Sequence, residues 1–139
     1  MSETQSSKAE TAPRTRPLSP HLQIYAPQLT SITSILHRVT GIGNTVGLVV
    51  LSAILYGAAN NADLYYAITN FMTSTFGLII LSGFAVSYSY HLCTGIRHFV
   101  FDAGAMMDLK NYYKLGYITL MCAALLSLFL IFKIWTILG

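Results

Sequence analysis

Between Met72 and Phe101 the chain reads MTSTFGLIILSGFAVSYSYHLCTGIRHFVF, a run in which Arg97 carries the only fixed charge. A helix needs about 20 mainly apolar residues to cross a hydrocarbon core of about 30 Å. Lipid offers backbone groups no hydrogen-bond partner, so a segment of this kind must close its own bonds as a helix. Two more runs of the same kind flank it. One extends from about Ser31 to Tyr56, with its purely apolar part starting near Val39, and the other from about Tyr113 to Leu138. The pattern predicts an all-α integral membrane protein with three transmembrane helices, at about 31–56, 72–101 and 113–138. No internal repeat is evident.

Composition agrees with that reading. Of 139 residues, 54% are hydrophobic and 9% charged, against about 25% charged in a soluble domain. So few charges cannot cover a water-facing surface, and a lipid-facing one is implied. The formal charge is +3, but Lys and Arg are scattered and form no basic stripe, which excludes nucleic acid as a partner. Cys93 and Cys122 both fall in apolar runs. They have neither metal-ligand spacing nor a disulfide framework and read as buried small hydrophobes.

Residues 1–20 are rich in Ser, Thr, Pro and charge and hold no apolar signal-peptide core. Glu3 and Glu10 argue against an acid-poor transit peptide. We expect a disordered or extended tail over 1–20 and a membrane anchor domain over 21–139. The segment Gly57–Phe71 carries Asn60, Asn61 and Asp63 but no Lys or Arg, and reads as a connecting loop. The second connection, Asp102–Tyr112, carries Lys110 and is followed by Lys114; the tail carries Lys8, Arg14 and Arg16. Positive charge stays inside, so the tail and the second connection are expected in the cytoplasm or a mitochondrial matrix. Lys133 is the exception and can snorkel to the far surface.

Polar residues within spans are costly and need a reason. At 100° per residue the first span divides. Ile32, Ile35, Leu36, Val39, Ile42 and Val46 form an apolar side. Ser31, Ser34, His37, Arg38, Gly41, Asn44 and Thr45 form a side that must meet protein, a cofactor or water. Helix-to-helix glue accounts for Gly41, Asn44 and Thr45 equally well, and Gly43 and Gly47 have the spacing for it. His37 beside Arg38 is harder to explain that way, although an interfacial Arg can also be functionless. In the second span Ser87, His91, Thr94, Gly95, His98 and Asp102 share about a quarter of the wheel. Asp102 marks the cytoplasmic end, which puts His91 about 16 Å deeper, near mid-membrane. Neutral imidazole there suits a haem iron, and Gly95 one turn on removes bulk where a flat macrocycle would approach. A histidine bonded to a neighbouring helix is the plainer alternative. His91 and His98 lie about 10.5 Å apart along the axis, too far to share one iron. His37, Arg38, Arg97 and His98 all lie towards one membrane face and could meet haem propionates.

The segments Arg16-Pro17-Leu18-Ser19-Pro20-His21, Ser34-Ile35-Leu36-His37-Arg38-Val39-Thr40-Gly41 and His91-Leu92-Cys93-Thr94-Gly95-Ile96-Arg97-His98, with Asp102 just after, resemble the cytochrome b family of succinate dehydrogenase membrane anchors. These are the larger anchors of respiratory complex II, here of alphaproteobacterial or mitochondrial type. The third span matches only in being apolar. The resemblance implies a four-subunit assembly in which this chain forms a helical bundle with a smaller anchor subunit, beside a flavoprotein and an iron–sulfur subunit. It implies haem b between the anchors and ubiquinone as substrate. Carried over by position, His91 matches the haem axial ligand, the second ligand coming from the smaller anchor. Ser34 and Arg38 match quinone-binding residues, and His37 a residue beside the propionates. Arg38 and His98 are further candidates near the propionates, and Asp102 is a candidate proton relay. No catalytic residue is expected, nor any activity from the chain alone. The expected location is a bacterial inner membrane with the N-terminus cytoplasmic, the mitochondrial inner membrane being the alternative. Three other functions stay open at this point: a stand-alone b-type cytochrome, a cofactor-free membrane scaffold or small transporter, and the anchor of a fumarate reductase.

Overall fold

A computed structural model describes residues 26, 28–104 and 108–139. The tail 1–20, the Arg16–His21 segment and the Lys110 side chain lie outside the described residues. Among those described there are four helices and no strand: α1 (Leu29–Asn60), α2 (Ala62–Thr73), α3 (Thr75–Asp102) and α4 (Leu109–Ile137). Three of them are long and apolar enough to cross a membrane, over Ser31–Asn60, Thr75–Asp102 and Asn111–Ile137. This is the predicted all-α, three-span architecture.

The segment 57–71, expected to be a connecting loop, is mostly helix, and the second span begins at Thr75 rather than near residue 72. Asn61 breaks α1 with an extended backbone, and its side chain accepts a hydrogen bond from the Leu64 amide (3.1 Å), which caps α2. Asp63 in the first turn suits the positive end of the helix dipole. Leu64, Tyr65, Ile68 and Met72 turn to one half-buried side at helical spacing. Gly57 lets α2 fold back closely, because a Cβ there would lie 2.9 Å from the Tyr65 backbone nitrogen. At the other end Ser74 caps α3 through its hydroxyl, which accepts from the Gly77 amide (3.2 Å). Gly77 also has no room for a side chain, since a Cβ would collide with the Phe71 carbonyl.

α3 is central. One side packs on α4 through small residues: Ala85 and Ser89 are buried on α3, and Gly116, Thr119, Ala123 and Ser127 on α4. Small residues at three- and four-residue spacing let two helix backbones approach, which is how helices associate where lipid removes the hydrophobic drive. Near the C-terminal end of α4 the Trp135 indole N–H donates to Ser82 Oγ at 3.1 Å. The other side of α3 meets α1. The outward residues Ile32, Ile35, Leu36, Val39, Ile42 and Val46 are all exposed, Ile42 by 70%, as the wheel predicts. Arg38 and Thr45, expected on the inner side, are exposed as well. They lie seven residues apart on one edge of the polar arc, and that arc is wider than α3 alone covers. The cysteines are less buried than expected, Cys93 half-buried and Cys122 exposed. On a lipid-facing helix an outward small hydrophobe costs nothing.

Candidate functional site

The polar side of α1 and that of α3 meet along a seam of hydrogen bonds. Ser87 Oγ donates to Asn44 Oδ1 at 2.9 Å. One turn further inward, His91 Nδ1 lies 3.0 Å from the backbone carbonyl of His37 and 3.3 Å from Thr40 Oγ1. The carbonyl can only accept, so Nδ1 carries the proton. The Thr40 hydroxyl donates to the Leu36 and His37 carbonyls (2.8 and 2.9 Å), leaving a lone pair for the same N–H. His37 Nδ1 is 2.7 Å from Thr94 Oγ1, whose hydroxyl hydrogen points to the Tyr90 carbonyl, 2.7 Å away. The His37 and His91 rings stack with centroids 4.0 Å apart and planes 7° apart. His98 is tilted against His37 at 5.1 Å and is itself exposed.

Two open grooves border this seam on the side away from α4. One, of about 450 Å³, is lined by His37, His91, Gly95, Ile96, His98 and Phe99 among others. The other, of about 410 Å³, runs past Asn44, Gly47, Leu51, Tyr88 and His91. His91 lines both. Its approach to α1 depends on Gly41, where a Cβ would sit 3.1 Å from the ring's Cε1.

These residues fit a haem in one specific respect. A ligating histidine commonly donates its second ring N–H to a carbonyl or carboxylate, which fixes the tautomer and strengthens the donor nitrogen. His91 has that arrangement, with Nδ1–H on the His37 carbonyl and the Nε2 lone pair left for a metal. Among the described residues, His37 and His91 do not offer a pair of axial ligands. Two imidazoles on opposite faces of one macrocycle meet edge to edge through the iron, and stacked rings 4.0 Å apart cannot. Among the described residues no three His, Cys, Asp or Glu side chains converge on a single ion.

The remaining predicted residues distribute as follows. Ser34 is half-buried and Arg38 exposed, one turn apart on α1. Asp102 is the last residue of α3 and exposed. Arg97 does not join the histidines. It is 6% exposed, and its Nη1 donates to Thr33 Oγ1 at 3.4 Å. Its Cζ lies 5.1 Å from the Phe101 ring centre and 4.7 Å from that of Tyr112. The sequence reading missed Thr40 and Thr33. Thr40 falls at the edge of the polar arc, about 40° beyond Asn44, and that position was the available signal.

A roomier apolar groove of about 500 Å³ lies beside α2, between Gly47, Ile54, Tyr65, Met72, Phe84 and Leu138. It holds none of the charged or histidine side chains described above.

Comparison with known proteins places these features in a family. A family model described as the succinate dehydrogenase/fumarate reductase transmembrane subunit matches residues 12–130. The succinate dehydrogenase cytochrome b560 subunit of Marchantia polymorpha is 37% identical over 120 residues, covering 81% of this chain and 86% of that protein. The cytochrome b556 subunit of Paracoccus denitrificans is 37% identical over 99 residues, covering 71% and 76%. That of Rickettsia prowazekii is 38% identical over 117 residues, covering 83% and 90%.

Proposed function

The chain belongs to the family of succinate dehydrogenase/fumarate reductase transmembrane subunits, and from that premise we propose that it holds haem b and ubiquinone for a succinate:quinone oxidoreductase. Its partners are a flavoprotein, an iron–sulfur subunit and a smaller membrane anchor that covers the open side of α1 and α3. It sits in a bacterial or mitochondrial inner membrane with its N-terminus on the cytoplasmic or matrix side. The names of its relatives favour succinate oxidation over fumarate reduction.

The observation that carries this reading is the His91 ring, pinned through Nδ1–H to the His37 carbonyl. That bond would leave Nε2 free to hold a haem iron, with a second ligand coming from the smaller anchor. When bound, haem b supplies a one-electron store inside the membrane. The His37 imidazole, Arg38 guanidinium and His98 imidazole lie close enough to the inner face to receive propionate oxygens by charge-assisted hydrogen bonds. The stand-alone cytochrome reading is disfavoured, because the stacked His37 and His91 cannot serve one haem as a pair.

Quinone chemistry falls to Ser34 and Arg38. A quinone carbonyl gains negative charge as it is reduced. The Ser34 hydroxyl is placed to donate to that oxygen, and the Arg38 charge one turn on stabilises it. Both lie at the inner end of α1, where an iron–sulfur subunit can dock and protons are available. Asp102, exposed at the inner end of α3, is suited to take protons from water and pass them on.

Replacing His91 with Leu in the assembled complex and recording the reduced-minus-oxidised spectrum tests the ligand. The expected result is a lost or high-spin haem signal. A b-type spectrum of unchanged shape and midpoint potential rules His91 out.

A further inference from the structure

Arg97 is a cation inside the hydrophobic bundle that the reading above does not use. Its environment is unusual in being closed. Nη1 has its one contact, with Thr33 Oγ1, while Nε and Nη2 are sealed from the surface and have no hydrogen-bond partner. The guanidinium lies against the Phe101 and Tyr112 rings, which are themselves stacked with centroids 4.7 Å apart. Aromatic faces attract a cation through their quadrupole, but they carry no net charge. Among the described residues no carboxylate reaches it; Asp102 and Asp108 are exposed. Since the two free nitrogens are sealed, neither a propionate nor a partner's carboxylate can touch them without opening the bundle. Guanidinium does not lose its proton in a protein. Among the described residues, therefore, no direct contact neutralises this permanent positive charge inside the span.

A fixed charge in a medium of low dielectric constant acts at a distance. Arg97 lies six residues from His91 on α3, about 9 Å along the axis, and it touches Thr33, the neighbour of Ser34. We propose that Arg97 is an electrostatic positioning residue, whose buried charge raises the reduction potential of the haem and favours electron arrival at the inner half of the membrane. The inference rests on the haem-anchor reading. Six residues also set the two side chains about 120° apart around α3, so the charge and a group held by His91 would be separated by roughly 16 Å rather than about 9 Å. At an effective dielectric constant of about 20, a unit charge at that distance changes a one-electron equilibrium about fivefold. The sign is fixed: a positive charge favours the reduced haem.

The test is a redox titration of the haem in the four-subunit complex. Arg97→Gln removes the charge, and the ratio of oxidised to reduced haem at a fixed ambient potential should rise about fivefold. Thr33→Val breaks the Nη1 contact, keeps the charge, and should leave the potential where it was. Thr33→Asp keeps the arginine and adds a counter-charge beside it. It should reproduce the Arg97→Gln shift, and it serves where Arg97→Gln does not assemble. An unchanged potential in either neutralising variant overturns the inference. So does an equal shift in Thr33→Val, which would mean that helix placement and not charge is being read. The measurement follows the haem wherever it is held. A spectrum that survives His91→Leu therefore removes the ligand assignment and leaves this result standing, whereas a wild-type complex without haem overturns both.

Discussion

Replacing Gly41 with alanine puts one methyl group against the ring of His91. The new Cβ would lie 3.1 Å from Cε1, shorter than the ordinary contact range that starts near 3.4 Å, and 3.6 Å from Nδ1, within that range. The imidazole must therefore retreat by a few tenths of an ångström. Gly41 and the His37 carbonyl both belong to α1, so moving off one means moving off the other. The Nδ1···O distance is 3.0 Å, and a retreat of about 0.4 Å takes it to the limit where such bonds weaken steeply. Losing an outer-shell partner of a ligating histidine commonly costs about 10- to 100-fold in metal affinity. The assay is haem per assembled complex, by pyridine haemochrome, together with the midpoint potential. Gly41→Ala should purify partly depleted of haem, and the depletion should be relieved by added haem. Gly95→Ala is the internal comparison. Its Cβ meets only His37 Cε1, at 3.9 Å, so the chain's own contacts tolerate it, and any haem loss there reports on what fills the groove. Full haem occupancy with an unshifted potential in Gly41→Ala would refute the claim that the seam between α1 and α3 positions the ligand.

Three further outcomes follow from the same geometry. Ser34→Ala and Arg38→Leu should each lower quinone reduction by about tenfold, as loss of a hydrogen bond of about 1–3 kcal/mol requires. Succinate oxidation through a soluble dye that accepts electrons before the membrane should survive; an unchanged ratio of the two activities removes both residues from the quinone site. A reporter active only outside should work at Gly139 and fail at Asp108, and the reverse result inverts the topology. The chain expressed without partner subunits should be degraded and inert with succinate; quinone reduction by the isolated chain would contradict the anchor role.

The three spans were legible because their apolar length exceeds anything a soluble domain of this size carries. His91 and Gly95, like Ser34 and Arg38, were legible because helical spacing puts each pair on one stripe. α2 was not, although Leu64, Tyr65, Ile68 and Met72 hold the helical period. Asn60, Asn61 and Asp63 dominate the start of that segment and read as a turn, whereas Asn61 acts as a helix cap. Arg97 was misplaced by its neighbour. It stands next to His98 in sequence, but one residue is 100° of helix, and the residue it shares a stripe with is Tyr90, seven positions earlier. The Tyr90 hydroxyl donates to the Thr33 carbonyl at 3.0 Å, so both tie α3 to the same point on α1. Spacing puts Thr40 at the edge of the polar arc but does not give its role. Its importance comes from a lone pair left over after its own backbone bonds, which is a property of the folded pair of helices.

α1 also has a history before it has a partner. Part of its polar arc, with His37 and Asn44, is covered within this chain by α3, and α3 is complete only at Asp102. Forty-two residues separate that point from the end of α1 at Asn60. At a synthesis rate of about 5–20 residues per second, α1 waits roughly 2–8 s in the membrane with imidazole and amide groups uncovered. A lone helix in that condition is a poor solute in lipid and a good substrate for membrane proteases. The order in which the helices are made therefore sets how long those groups stay without the partner that this chain provides.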